Sequence, residues 1–241
     1  MFAHRGKTRT NRHNLGIASL LSFVAGLVNV VGFFAVQKLT TNVTGHFAVF
    51  IDEAFKLNLH SAFHVALYVF FFVLGAFLAN FLVEIYSRIR ENLIYVFPVL
   101  VEAVILAGIA FSGEYFIQEY PDFIAFSLLF AMGMQNSLVT TISNAVVRTT
   151  HLTGLFTDLG IEFSQLFFYK DESHKSKLVK SIRLRLTIIG CFFIGGIFAA
   201  IVFGYAGIKT LLFGCFLLIF GILFDFIKIR LLLRKRKMSY K

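Results

Sequence analysis

Apolar runs of about 20 residues recur along this chain, at residues 17–36, 62–83, 93–111, 123–147, 186–205 and 208–227. Wound as an α-helix at about 1.5 Å per residue, a run of that length matches the roughly 30 Å hydrocarbon layer of a bilayer. A single soluble core has no room for so much apolar surface: 58% of the 241 residues are hydrophobic, 15% are charged, and the mean hydropathy is +0.79. The expected fold class is therefore an all-α transmembrane bundle of about six helices, a single integral membrane domain over residues 1–241. The first run is long enough to span and ends without a small-residue cleavage site, so it reads as a membrane helix and not as a cleaved signal.

The basic residues orient the bundle. With the N-terminus in the cytoplasm, 20 of the 23 Lys and Arg residues fall on the inside, and only Lys38, Lys56 and Lys209 fall outside. This predicts a multi-pass protein of the inner (plasma) membrane with both termini cytoplasmic. The net charge of +10 is then explained by the basic tails 1–14 and 229–241, which lock topology and touch anionic lipid. The lipid bilayer is the expected partner, nucleic acid is not, and the small size is compatible with a homodimer.

A second feature is repetition. The stretch TTNVTGHFAVFIDE at 40–53 aligns without gaps to TTHLTGLFTDLGIE at 149–162, matching at Thr40/Thr149, Thr41/Thr150, Thr44/Thr153, Gly45/Gly154, Phe47/Phe156 and Glu53/Glu162. Threonine, glycine and glutamate identities do not follow from apolar bias. Upstream, AGLVN ending at Asn29 pairs with MGMQN ending at Asn136; downstream, FVLGAFLA from Phe72 pairs with FFIGGIFA from Phe192. We read these as repeat 1 at about 15–112 and repeat 2 at about 122–230. An odd number of spans per unit turns the second copy over, so the expected architecture is a 3+3 inverted repeat.

In each repeat the Thr-Gly motif opens a helical, apolar segment too short to cross a bilayer. Thr44 and Thr153 are expected N-caps, and the glycine after each lets a backbone or a ligand approach. If the two segments re-enter the bundle, their N-termini present N–H groups and positive dipole ends, suited to an anion or a carboxylate. Interfacial helices lying on each surface also fit this pattern. The re-entrant reading is carried forward because it gives the duplication a purpose.

Polar groups inside apolar runs mark candidate sites, since an ionisable residue at the centre of a membrane helix costs about 2.5–3.5 kcal/mol on insertion scales. Glu102 is the clearest, and Glu53 and Glu162 occupy matching places in the repeats; the three are expected to carry coupling protons. Asn29, Gln135 and Asn136 are expected to line the site with Thr44, Gly45, Thr153 and Gly154, although interhelical hydrogen bonding is an equal use for the amides. Asp52 and Asp158 have no counterpart in the other repeat. Gly75, Ala79, Gly195, Gly196, Ala199 and Ala200 read as close-crossing faces. The hydrophilic stretch YKDESHKSK at 169–177 reads as a loop inserted into the second repeat.

No metalloprotease, serine-hydrolase, P-loop or dinucleotide fingerprint occurs. The expectation is no enzymatic activity, no catalytic residue, no cofactor and no metal. Cys191 and Cys215 lie in apolar runs and read as small buried hydrophobes. His60 and His64 stand one helical turn apart, but with no convincing zinc-ligand spacing around them.

The stretches VAGLVNVVGFFAVQKLTTNVTGHFAVF and MGMQNSLVTTISNAVVRTTHLTGLF resemble the YoaK family of bacterial membrane proteins, a domain of unknown function, over roughly residues 15–230. The resemblance implies a polytopic inner-membrane protein of about six spans with no assigned substrate. The family form has Met-Thr-Gly-Asn at the first motif, whereas this chain has Val43-Thr44-Gly45-His46. The functional expectation is a small secondary transporter or permease for a small anionic or polar solute. A passive channel or facilitator, and a non-transporting scaffold or regulatory protein, are the alternatives.

Overall fold

The computed structural model describes residues 10–89, 94–169 and 171–239, with side chains described as far as residue 227 except at 11, 113 and 114. Most of the N-terminal basic tail, Arg90, Lys170 and the side chains of the C-terminal basic tail lie outside the described residues. Among the described residues the fold is all helical: α1 (Asn11–Val36), α2 (Thr44–Phe55), α3 (Leu59–Ile89), α4 (Val96–Phe111), α5 (Gly113–Glu119), α6 (Pro121–Ser143), α7 (Leu152–Phe168), α8 (Glu172–Ala206) and α9 (Leu211–Ser239). Four helical stretches are long and apolar enough to cross a membrane: Arg12–Val36, Leu59–Ile89, Pro121–Ser143 and Glu172–Ile227. The last, 56 residues long, holds α8 and the first part of α9, joined by a 3₁₀ turn at Gly207–Thr210. Gly207 has φ 54° and ψ −138°, a conformation that glycine adopts without a Cβ clash. The shorter α4, 16 residues, is also apolar.

Two boundaries differ from the sequence expectation. The fourth run was expected to continue to residue 147, but α6 stops at Ser143. Asn144 and Ala145 both take positive φ, and the Ala145 N–H closes on the Thr140 carbonyl at 2.8 Å, so the chain turns before its apolar pattern ends. The stretch 169–177 is not a loop beyond Asp171. That residue N-caps α8, its Oδ2 accepting from the His174 N–H at 3.1 Å, and the hydrophilic residues form the first turns of a 35-residue helix. At about 1.5 Å per residue α8 exceeds the bilayer thickness, so a polar first part is what its length requires.

The main crossings are α1 on α8 and α3 on α6, with α4 packed on α9, α2 on α3 and α7 on α8. Glycine makes the two main crossings close. A Cβ at Gly26 of α1 would lie 1.9 Å from the Phe192 carbonyl oxygen, and one at Gly195 of α8 would lie 2.1 Å from that of Phe23. Likewise, a Cβ at Gly75 of α3 would lie 2.0 Å from the Phe130 oxygen, and one at Gly133 of α6 would lie 2.1 Å from that of Phe72. Close backbone approach through small residues is the usual basis of helix association where lipid removes the hydrophobic drive. Among the exposed phenylalanines, Phe77 and Phe81 lie on α3, Phe193 on α8 and Phe216 and Phe220 on α9, as expected of faces turned to lipid.

Candidate functional site

The Thr-Thr pair at the start of each repeated segment bonds back to the helix it has just left. After α1, Thr40 Oγ1 donates to the Val28 carbonyl at 3.2 Å and Thr41 Oγ1 to Asn29 Oδ1 at 2.8 Å. After α6, Asn136 Oδ1 accepts from Thr149 Oγ1 at 3.2 Å and from Thr150 Oγ1 at 3.0 Å. Gln135 Nε2 donates to the Leu21 carbonyl at 3.0 Å and to Thr149 Oγ1 at 3.3 Å. These bonds satisfy polar groups inside an apolar bundle, where unpaired ones cost most. They also fold each connector back against the helix before it, about two turns from that helix's end.

The result is one cavity of about 480 Å³ lined by both segments: Asn29, Thr41, Asn42 and Thr44 from the first, Thr150, His151, Thr153 and Gly154 from the second, with Phe72 and Phe192 among its apolar walls. Those two phenylalanines are the residues whose carbonyls meet Gly133 and Gly26 at the helix crossings. Crossing and cavity are built by the same turns of helix.

Neither Thr44 nor Thr153 is the N-cap that its place in the motif predicts. Thr44 is itself the first residue of α2, with Val43 at the cap position; α7 begins at Leu152, with His151 at the cap. Neither helix has a side-chain cap bond, so the Thr44 and Thr153 hydroxyls are not spent on their own helix starts. Gly45 does not line the cavity, because the space beside it holds Leu39, whose Cδ1 lies 2.8 Å from where a Cβ would be. Gln135 and Asn136 stand behind the wall, buried, with Gln135 Oε1 and Asn136 Nδ2 lacking hydrogen-bond partners.

A family model described as "Protein of unknown function (DUF1275)" matches residues 17–224. The chain belongs to the DUF1275 family. The matched region runs from α1 into α9 and contains both Thr-Gly segments and the whole cavity, together with the two stretches that carry the YoaK resemblance. No curated protein and no solved structure matches the chain.

The three candidate acids of this DUF1275 protein lie apart from the cavity wall and differ from one another. Glu102, in α4, is 1% exposed, and its Oε1 has no partner. Glu53, near the end of α2, accepts from Asn58 Nδ2 at 2.7 Å. Glu162, in α7, has both oxygens engaged: Ser181 Oγ donates at 2.6 Å and Arg185 Nε at 2.9 Å. Arg185 Nη1 also reaches Asp158 Oδ2 at 3.1 Å, which gives Asp158 a role that the repeat alignment did not assign. Arg185→Met leaves the buried Glu162 without its charge partner. It is expected to lower stability by about 2–3 kcal/mol, read as a lower thermal midpoint in detergent that Glu162→Gln partly restores.

Beside this ion pair a second cavity of about 380 Å³ is lined by Arg148, Asp158, Ser181 and Arg185, and shares His151 and Gly154 with the first. His151 sits at the junction. Partial loss of hydration pulls its imidazole below the ordinary value, and the Arg148 charge adds to the effect. The sequence reading missed the structural use of Thr41, Thr149 and Thr150, whose signal was present as repeat identities. It also missed the Asp158–Arg185 contact, which carries no repeat signal.

Proposed function

We propose that this DUF1275 protein is a small secondary transporter of a small anionic or polar solute, built as a 3+3 inverted repeat in the plasma membrane with both termini cytoplasmic. The observation that carries the reading is the single cavity lined jointly by the two repeated segments. Two-fold architecture is supported by contacts that exchange under the sequence offsets of 107, 109 and 120. The Asn29–Thr41 bond becomes Asn136–Thr150, the Gly26–Phe192 crossing becomes Gly133–Phe72, and Gly75–Phe130 becomes Gly195–Phe23. In an inverted pair the two Thr-Gly helices come from opposite faces and meet near the midplane, where transporters of this construction bind substrate.

Hydroxyls, amides, helix N-termini and His151 suit an anion or a polar solute, because they offer donors without a competing carboxylate. Glu102 is the best placed of the three acids to carry a proton, as its Oε1 is uncommitted. One observation favours a passive facilitator instead: among the described residues, no acid lines the shared cavity.

The test is flux into proteoliposomes, with acetate and chloride as anion probes and glycerol as the neutral polar probe. A transporter gives saturable flux of at least one probe, accelerated by a proton gradient, and Glu102→Gln loses the acceleration. Non-saturating flux indifferent to pH selects the facilitator. Flux no faster than that of empty liposomes for every probe removes both readings.

A further inference from the structure

The two repeated segments do not end in the same surroundings. Beside α7 the cavity continues: a Cβ at Gly154 would meet nothing within 4 Å, and the second cavity opens there past Arg148 and Asp158, the latter 48% exposed. Beside α2 the space next to Gly45 is taken by side chains, and the cavity of about 370 Å³ that shares Asn29 and Phe192 with the first runs past Leu39 between Phe33, Phe34 and Phe193, with His46 not among its lining. Under the 109-residue offset Arg148 corresponds to Leu39 and Leu155 to His46, and Leu39 covers Gly45. His46 is 5% exposed; its Nε2 lies 2.7 Å from the Leu39 carbonyl, and since a carbonyl only accepts, Nε2 carries the proton.

The plug continues into a polar chain across three helices. The His46 ring packs against that of Tyr68 in α3, tilted by 44° with centroids 4.9 Å apart, and Tyr68, 2% exposed, donates its hydroxyl to Asp122 in the first turn of α6. His64 Nδ1 lies 3.0 Å from the other Asp122 oxygen, and Lys38 Nζ stands 5.9 Å from the Tyr68 ring centroid. The cluster thus links α2, α3, α6 and the α1–α2 connector at one end of the bundle. A network of this kind is stable when complete and costly when half made, so it favours two discrete states over a graded one.

We infer that the structure is closed on the α2 side and open on the α7 side, with His46 and the Tyr68–Asp122 pair forming the latch of the α2-side gate. The inference rests on reading the shared cavity as a transport site. It adds which side the captured state faces and which residues release it.

The experiment places a cysteine at cavity-lining Thr153 in the full chain with Cys191 and Cys215 replaced by alanine, and applies a membrane-impermeant maleimide to each side of oriented vesicles. Labelling is expected from the α7 side only. His46→Ala, and separately Tyr68→Phe, which removes one hydroxyl and keeps the ring, are expected to raise labelling from the α2 side at least tenfold while α7-side labelling persists as the sign of correct insertion. Equal labelling from both sides with the latch intact overturns the inference, as does unchanged α2-side protection in inserted Tyr68→Phe. Labelling needs no substrate, so it separates the two readings. A gate that opens in a protein without flux rejects transport alone, and flux without any latch effect rejects the gate alone.

Discussion

Gly26→Ala should prevent the protein from accumulating as a folded species. The added Cβ would sit 1.9 Å from the Phe192 carbonyl oxygen, and that obstacle is backbone, which no rotamer change can move. The helices α1 and α8 must separate, and α1 also packs on α6 and α9, so the displacement spreads through the bundle. Overpacking a close crossing costs about 3 kcal/mol, a large part of the 5–15 kcal/mol by which folded proteins are typically stable. The measurement is the yield of monodisperse protein and its thermal midpoint in detergent. Gly133→Ala is expected to behave in the same way, since its Cβ would meet the Phe72 oxygen at 2.1 Å. Gly108→Ala is the control: in α4, with nothing within 4 Å of the new atom, it is expected to be neutral or to gain up to about 1 kcal/mol from helix propensity. Equal tolerance of all three would mean that the α1–α8 and α3–α6 crossings are looser than described.

Replacing Thr153-Gly154 with Val-Val is expected to abolish flux while leaving the fold intact. Both residues are exposed and line the shared cavity, and a Cβ at Gly154 meets no neighbour within 4 Å. The substitution therefore removes a hydroxyl, covers the first turn of α7 and fills cavity volume without forcing the backbone. A fall of more than about tenfold, equivalent to about 1.4 kcal/mol, is the expected reading in proteoliposomes, with an unchanged elution profile. Full flux in that variant would take the solute path away from the Thr-Gly motif. The matched change at Thr44-Gly45 is not an equivalent test, because Leu39 already occupies the space beside Gly45, and a loss there would mix packing with transport.

Much of the helical plan was legible because bilayer physics is one-dimensional. Run length against membrane thickness located α1, α3, α6, α8 and α9 to within a few residues at their apolar parts. Ends were less legible where hydrogen bonding outweighed hydropathy. Residues 145–147 remain apolar, yet the turn at Asn144 and Ala145 stops α6; residues 172–177 are hydrophilic, yet the Asp171 cap makes them helix. At the candidate site, Asn29, Thr44, Thr153 and Gly154 line the cavity, whereas Gly45, Gln135 and Asn136 do not. Nothing in a repeat alignment distinguishes a lining amide from one that braces the wall, because both are polar groups inside apolar helices.

Hydropathy and the positions of the repeats are properties of the chain read in order, and they determined the membrane class, the helices and the two Thr-Gly segments. Which helices cross, that both segments share one cavity, and that Leu39 covers Gly45 while the space beside Gly154 continues to Arg185 were decided only by tertiary structure. The physical reason is that these depend on distances between residues far apart in sequence. The Gly26–Phe192, His46–Tyr68–Asp122 and Glu162–Arg185 contacts arise when close-packed helices bring those groups together, and no local pattern encodes the partner.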